Sequence, residues 1–196
     1  MIDLKTVFGL LSVFLGFVGI SSYALSVVKG QTHPHIYSWI LYTILSGSSS
    51  FMMIANGAGA GAWANVLSFI TNFAVVGLAL RYNMARIRRV DTFLLIISFA
   101  TIGLWAFTQS IIFVVIQALL VLLASLPTIR KILQNDGPER LSLYYLNICK
   151  HAFSFLALAT LSFDSIILLL AALIINFLII GTSILVQKNY IQSTVS

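Results

Sequence analysis

Charge is what this sequence has least of. Only 8% of its 196 residues are Asp, Glu, Lys or Arg, and five of them are acidic. A soluble domain carries about 25% charged residues on average. A chain this poor in charge cannot cover its own surface in water, which excludes a soluble enzyme, a disordered protein and a nucleic-acid module. Cysteine is nearly absent too. Cys149 stands alone, so no intrachain disulfide can form. Proline occurs only at Pro34, Pro127 and Pro138. What abounds is apolar: 60% hydrophobic residues and a mean hydropathy of +1.04. With spans of about 20 residues each, the length suits one membrane domain of roughly six to eight helices.

Seven apolar stretches can be read along the chain. They run from Val7 to Val28, Ile36 to Ala55, Ala62 to Leu80, Thr92 to Phe107, Ile111 to Ile129, Leu141 to Leu161 and Ile166 to Val186. The breaks carry turn chemistry, as in Lys29-Gly30-Gln31-Thr32-His33-Pro34, Asn56-Gly57-Ala58-Gly59 and Asn135-Asp136-Gly137-Pro138. Continuous runs without alternation are helices and not barrel strands. The first run is roughly 22 residues, longer than the ~7–15 of a signal-peptide core, so Ser22-Tyr23-Ala24 reads as helix and not as a cleavage site.

Charge orients the spans. With seven of them, the loops after the first, third and fifth share a side with the C-terminus. That side holds Lys29, Arg81, Arg86, Arg88, Arg89, Arg130, Lys131, Arg140 and Lys188, against Lys5 alone on the other. Basic residues concentrate on the cytoplasmic side, so the N-terminus is expected outside and the C-terminus inside. The net charge of +6 is thereby explained by topology and the anionic inner leaflet, without nucleic acid.

The chain also repeats itself. At a shift of 104 positions (Asn72 to Asn176), Asn72-Phe73 meets Asn176-Phe177 and Gly77 meets Gly181. Ser50-Phe51 likewise meets Ser154-Phe155, Pro34 meets Pro138, and Ser38 meets Ser142. Stretches one to three therefore copy stretches five to seven, and the fourth is a connector that lets both copies insert the same way round. The expected fold is an all-α membrane protein with seven transmembrane helices. Two parallel three-helix bundles are joined by a linker helix (3+1+3), N-out and C-in. The divisions are residues 1–90, 91–109 and 110–196.

This plan resembles the SWEET and PQ-loop transporters. Leu126-Pro127-Thr128-Ile129, Arg130-Lys131 and Glu139-Arg140-Leu141-Ser142 are similar to the PQ-loop segment, with Pro127-Thr128 where Pro-Gln is usual. The first repeat has Tyr23-Ala24 at that place, while Lys29 to His35 and Ser38-Trp39 are similar to uncharacterised bacterial relatives. The resemblance implies a facilitator with a central pocket. The third helix of each bundle gives that pocket one asparagine, matched here by Asn72 and Asn176. It also implies that Pro34 and Pro127 act as hinges of an inner gate. The tryptophans that the family lays against a sugar are absent, since Asn56 and Thr160 stand there.

Polar residues inside a bilayer are costly and usually face a bundle interior or water. Asn147, Lys150, His151 and Ser154 are spaced i, i+3, i+4 and i+7, one helical face. Their counterparts at the same shift are Thr43, Ser46, Gly47 and Ser50. Both faces are read as lining one central cavity. The candidate solute-binding residues are therefore Asn72, Asn176, Asn147, Lys150, His151, Ser46, Ser50 and Gln117. All five acids lie at or beyond span ends, so an ion pair for Lys150 within the spans is not expected, and facilitated diffusion is simpler than an acidic proton relay. Trp39, Trp63 and Trp105 are expected as interface anchors.

Catalytic and metal chemistry find no support. No Ser/His/Asp or Cys/His arrangement occurs, and Asp164 has no evident partner. His33 and His35 fall short of the three or four ligands of a stable metal site. No catalytic residue, metal or cofactor is expected. The expected function is transport of a small polar solute such as a sugar by alternating access. The alternatives are an amino-acid or organic-acid carrier of PQ-loop type and a seven-helix membrane receptor. The expected partners are the solute and the lipid bilayer, with nucleic acid excluded and a homo-oligomer left open. The short loops point to a bacterial inner (cell) membrane.

Overall fold

The computed structural model describes residues 3–81, 89–134 and 139–195, with side chains described for 3–81, 92–134 and 139–188. Among these residues the chain is helical apart from short connections. Helix α1 spans Leu4–Val28, α2 Ile36–Ala55, α3 Trp63–Arg81 and α4 Arg89–Thr108. Helix α5 spans Ile111–Leu123, α6 Leu126–Leu133, α7 Leu141–Leu156 and α8 Phe163–Val195. A 3-10 turn at Gly59–Ala62 leads into α3.

Five segments are long and apolar enough to cross a membrane: Leu4–Val28, Ile36–Ala55, Gly59–Arg81, Ile111–Leu133 and Phe163–Lys188. That is the profile of a helical membrane protein. Large apolar side chains such as Phe14, Phe73, Phe99 and Phe177 stand exposed on its outside, where lipid and not water would suit them. The fourth stretch is a shorter apolar helix, Thr92–Thr108. The sixth departs from the expectation of Leu141 to Leu161. Helix α7 stops at Leu156 after 16 residues, about 24 Å at 1.5 Å per residue. Its end peels away because the Ala159 N–H bonds the Ala58 carbonyl at 2.9 Å, across to another connection.

The fifth stretch bends between α5 and α6 for a local reason. Pro127 has no N–H, and its ring would meet the carbonyl four residues earlier, so an unbroken helix cannot pass. The Ser125 hydroxyl instead bonds the Leu122 carbonyl at 2.7 Å, and Pro127 opens the first turn of α6.

Packing follows small residues. In α1, Gly9, Gly16 and Gly19 lie buried along one side. A Cβ on Gly16 would lie 2.9 Å from Lys150 Cδ, and one on Gly19 would lie 3.3 Å from Leu146 Cβ. Helices α1 and α7 approach closely there, as small residues allow without help from water. Helix α3 packs against both α1 and α2, and α8 against both α5 and α7. Helix α4 lies on α5 and α2. Trp105 of α4 is not an interface anchor as expected. It is 1% exposed and meets Phe51 edge-on with ring centroids 5.7 Å apart, whereas Trp63 is exposed.

One end of the bundle carries connections 56–62 and 157–162, hereafter the Gly61 end. The other carries connection 29–35 and residues 134, 139 and 140, hereafter the Pro34 end. Arg86, Arg88 and Pro138, and the side chain of Arg89, which the charge count and the repeat invoke, lie outside the described residues.

Candidate functional site

Between these ends lies a cavity of about 110 Å³, well above the ~10–15 Å³ that one water needs. Helical spacing puts its walls together. Asn147, Lys150 and His151 come from one face of α7. Asn65, Ser68 and Asn72 of α3, at i, i+3 and i+7, come from one face of that helix. Ser46 and Ser49 of α2 complete the polar side. Across from them stand Leu168, Ala172, Ile175 and Ile179 of α8, with Asn176 the polar exception.

Lys150 and His151 are each 5% exposed. The Lys150 ammonium donates to the Ser68 hydroxyl at 2.9 Å, and its stem runs over Gly16. Among the described residues no Asp or Glu lines the cavity. His151 Nδ1 is buried without a hydrogen-bond partner. The Asn72 amide donates to the Ser46 hydroxyl at 3.3 Å, and the Asn176 amide to the Ala172 carbonyl at 2.6 Å. An amide keeps further donor and acceptor capacity after one such bond.

Of the eight residues singled out from sequence, the structure brings six to this cavity: Asn72, Asn176, Asn147, Lys150, His151 and Ser46. Ser50 and Gln117 are not there. The Ser50 hydroxyl bonds back to the Ser46 carbonyl at 2.7 Å. Gln117 is fully buried between helices, donating to the Ser48 hydroxyl and reaching the Thr101 hydroxyl at 3.4 Å. It joins α5 to α2 and α4. Removing a buried amide leaves its partners unsatisfied at about 1–3 kcal/mol. Gln117→Leu should therefore lower the denaturation midpoint by that amount. A variant as stable as the parent would return Gln117 to the list of site candidates.

Sequence reading missed Asn65, Ser68, Trp39 and Tyr144, which also line the cavity. The i, i+3, i+7 spacing in α3 was the available signal for the first two. Trp39 is a correction: expected at the interface, it is 5% exposed and packs on Tyr23 with ring centroids 4.9 Å apart.

Contacts between distant parts of the chain bridge the connections at both ends. At the Gly61 end, the Ser154 hydroxyl donates to the Gly61 carbonyl and Lys5 donates to the Ala159 carbonyl at 3.0 Å. Asp164 has a partner after all, since the Asn56 amide donates to it at 2.8 Å. At the Pro34 end, Lys131 is not the surface cation that the charge count supposed. It forms an ion pair with Glu139, the two side chains being 6% and 5% exposed. Lys131 also donates to the His33 carbonyl at 2.6 Å, and the Tyr144 hydroxyl donates to Glu139 at 2.9 Å. The Thr128 hydroxyl donates to Ser38 at 3.2 Å. Pro34 and Pro127 are both buried beside these contacts, Pro34 in the loop that α6 grips and Pro127 at the start of α6.

Among the described residues no three His, Cys, Asp or Glu side chains gather as a metal site would require. Comparisons with family models, curated proteins and solved structures return no match.

Proposed function

We infer that this chain is a transporter of a small polar solute, working by alternating access in the manner of the SWEET and PQ-loop carriers it resembles. Helices α1 to α3 form one bundle and α5 to α8 the other, with α4 as linker, the Gly61 end outside and the Pro34 end inside. The observation that carries this reading is one cavity holding both repeat-related asparagines, Asn72 and Asn176. Matched helix contacts support it further, because α3 sits against α1 and α2 as α8 sits against α5 and α7. Contacts that join the two halves at each end, Ser154 to the Gly61 carbonyl and Lys131 to the His33 carbonyl, suit a carrier that opens one end at a time. Pro34 and Pro127 would be hinges of the inner seal.

Uptake of labelled sugars, amino acids and small carboxylates into liposomes holding the purified protein tests this. At least one solute should equilibrate. Asn72→Ala and Asn176→Ala should each cut that uptake about 10-fold or more, since an unpaired polar group of the solute costs about 1–3 kcal/mol. Their melting temperatures should stay near the parent's. Normal uptake by both variants would remove the asparagines from the site. A solute that binds but never accumulates would make the chain a receptor.

A further inference from the structure

Resting on that reading, we propose that the solute is a small monocarboxylate with a short apolar body, held by Lys150 and seated against α8. Among the described residues that line the cavity there is one ammonium, Lys150, and no carboxylate. A cation at mid-membrane is expensive unless something compensates it. Among the described residues the ammonium donates to the Ser68 hydroxyl, and a neutral hydroxyl does not balance a full charge. The missing counter-charge is what an anionic solute would bring.

Two further observations narrow its class. Further polar groups share the cavity with the ammonium. Asn72 and Asn147 are within the same cavity, and His151 presents a buried Nδ1 with no partner. A carboxylate, acceptor-only with several lone pairs, can use more than one such donor at once. The α8 wall is Leu168, Ala172, Ile175 and Ile179, with Asn176 its one polar group among the described residues. The repeat makes this contrast visible: Ser68 in α3 corresponds to Ala172 in α8, and Thr71 to Ile175. One wall has kept polar groups where the other has lost them. A sugar, with hydroxyls all round, would leave several unpaired against α8, each at a cost. A dicarboxylate would place a second charge where no second cation stands. A monoanion with an apolar tail matches both walls, and Gly16 provides the space for the Lys150 stem.

The test uses the full-length protein in detergent, with melting temperature followed against butyrate, its neutral counterpart butyramide, succinate, glucose and sodium chloride at matched ionic strength. Butyrate should raise the melting temperature saturably, and butyramide, succinate and glucose should not. Lys150→Met should bind butyrate about 10- to 100-fold more weakly, the loss of one charge-assisted hydrogen bond. Lys150→Arg, which keeps the charge, should retain part of the response and shows whether the methionine variant fails for lack of charge or of folding. Equal responses to butyrate and butyramide, or undiminished butyrate binding by Lys150→Met, would overturn the anion assignment. So would a chloride response equal to that of butyrate, which would mark a site for inorganic anions. The liposome assay separates the two inferences. Glucose uptake without any butyrate response sinks the carboxylate and leaves the carrier. Butyrate binding without accumulation sinks the carrier and leaves the anion site.

Discussion

Lys131→Met will destabilise this protein by about 3–5 kcal/mol, the usual cost of stranding one partner of a buried ion pair. Glu139 is as buried as Lys131, and after the substitution its carboxylate keeps the Tyr144 hydroxyl but loses its countercharge. The same change removes the donor to the His33 carbonyl, so the α1–α2 loop loses its grip on α6. Replacing both members, Lys131→Met with Glu139→Leu, should recover much of the loss, because apolar pairs of similar volume often match or exceed a buried ion pair. Denaturation midpoints of the two single variants and the double variant close the cycle. A Lys131→Met cost below about 0.5 kcal/mol, the range of ordinary surface changes, would mean that Lys131 is a solvated residue after all.

The second large effect lies at the opposite end. A Cβ on Gly61 would stand 2.6 Å from Leu158 Cδ2 and 3.0 Å from both Leu158 Cα and the Ser154 carbonyl oxygen. The leucine tip can swing aside, but the two backbone atoms cannot. Gly61→Ala should therefore push connection 56–62 off connection 157–162, at about 1–3 kcal/mol for an overpacked contact. A cost confined to the state closed at this end shifts the balance between closed and open by roughly 5- to 150-fold. Transport should slow accordingly while solute still binds. The measurement is uptake rate beside solute-dependent melting, on the same preparation. Loss of both would indicate general unfolding, and loss of neither would mean that the two connections separate freely and form no seal. Gly59, at φ +58° with a Cβ position 2.8 Å from Ala159 Cβ, should respond in the same direction.

The positions of the polar groups explain which parts of the site could be read from sequence. Asn147, Lys150 and His151 interrupt an apolar run at helical spacing, so their common face needs no structure to be seen. Asn72 and Asn176 stood out through the repeat. Ser50 and Gln117 were polar and mid-span in the same way, yet they serve packing. A hydroxyl can bond its own helix, as Ser50 does with the Ser46 carbonyl, and an amide can bridge two helices, as Gln117 does. Nothing in spacing alone separates a polar group that faces a cavity from one that faces a neighbouring helix. Trp39 and Trp105 departed from expectation for a related reason. An indole suits an interface, but it suits a tight aromatic cluster equally well.

Local rules account for the helical character, most of the span limits and the break before Pro127. An apolar run must satisfy its own backbone hydrogen bonds in lipid, and proline must interrupt an unbroken helix. The polar face of α7 follows from the same helical geometry. Tertiary structure decided what no single segment contains. Lys131 finds the His33 carbonyl only when α6 lies over the α1–α2 loop. Lys150 reaches Ser68 only because Gly16 leaves room between α1 and α7. The early end of α7 depends on Ala159 meeting Ala58. Each is a contact between residues far apart in the chain, and its energy exists only once the helices have packed.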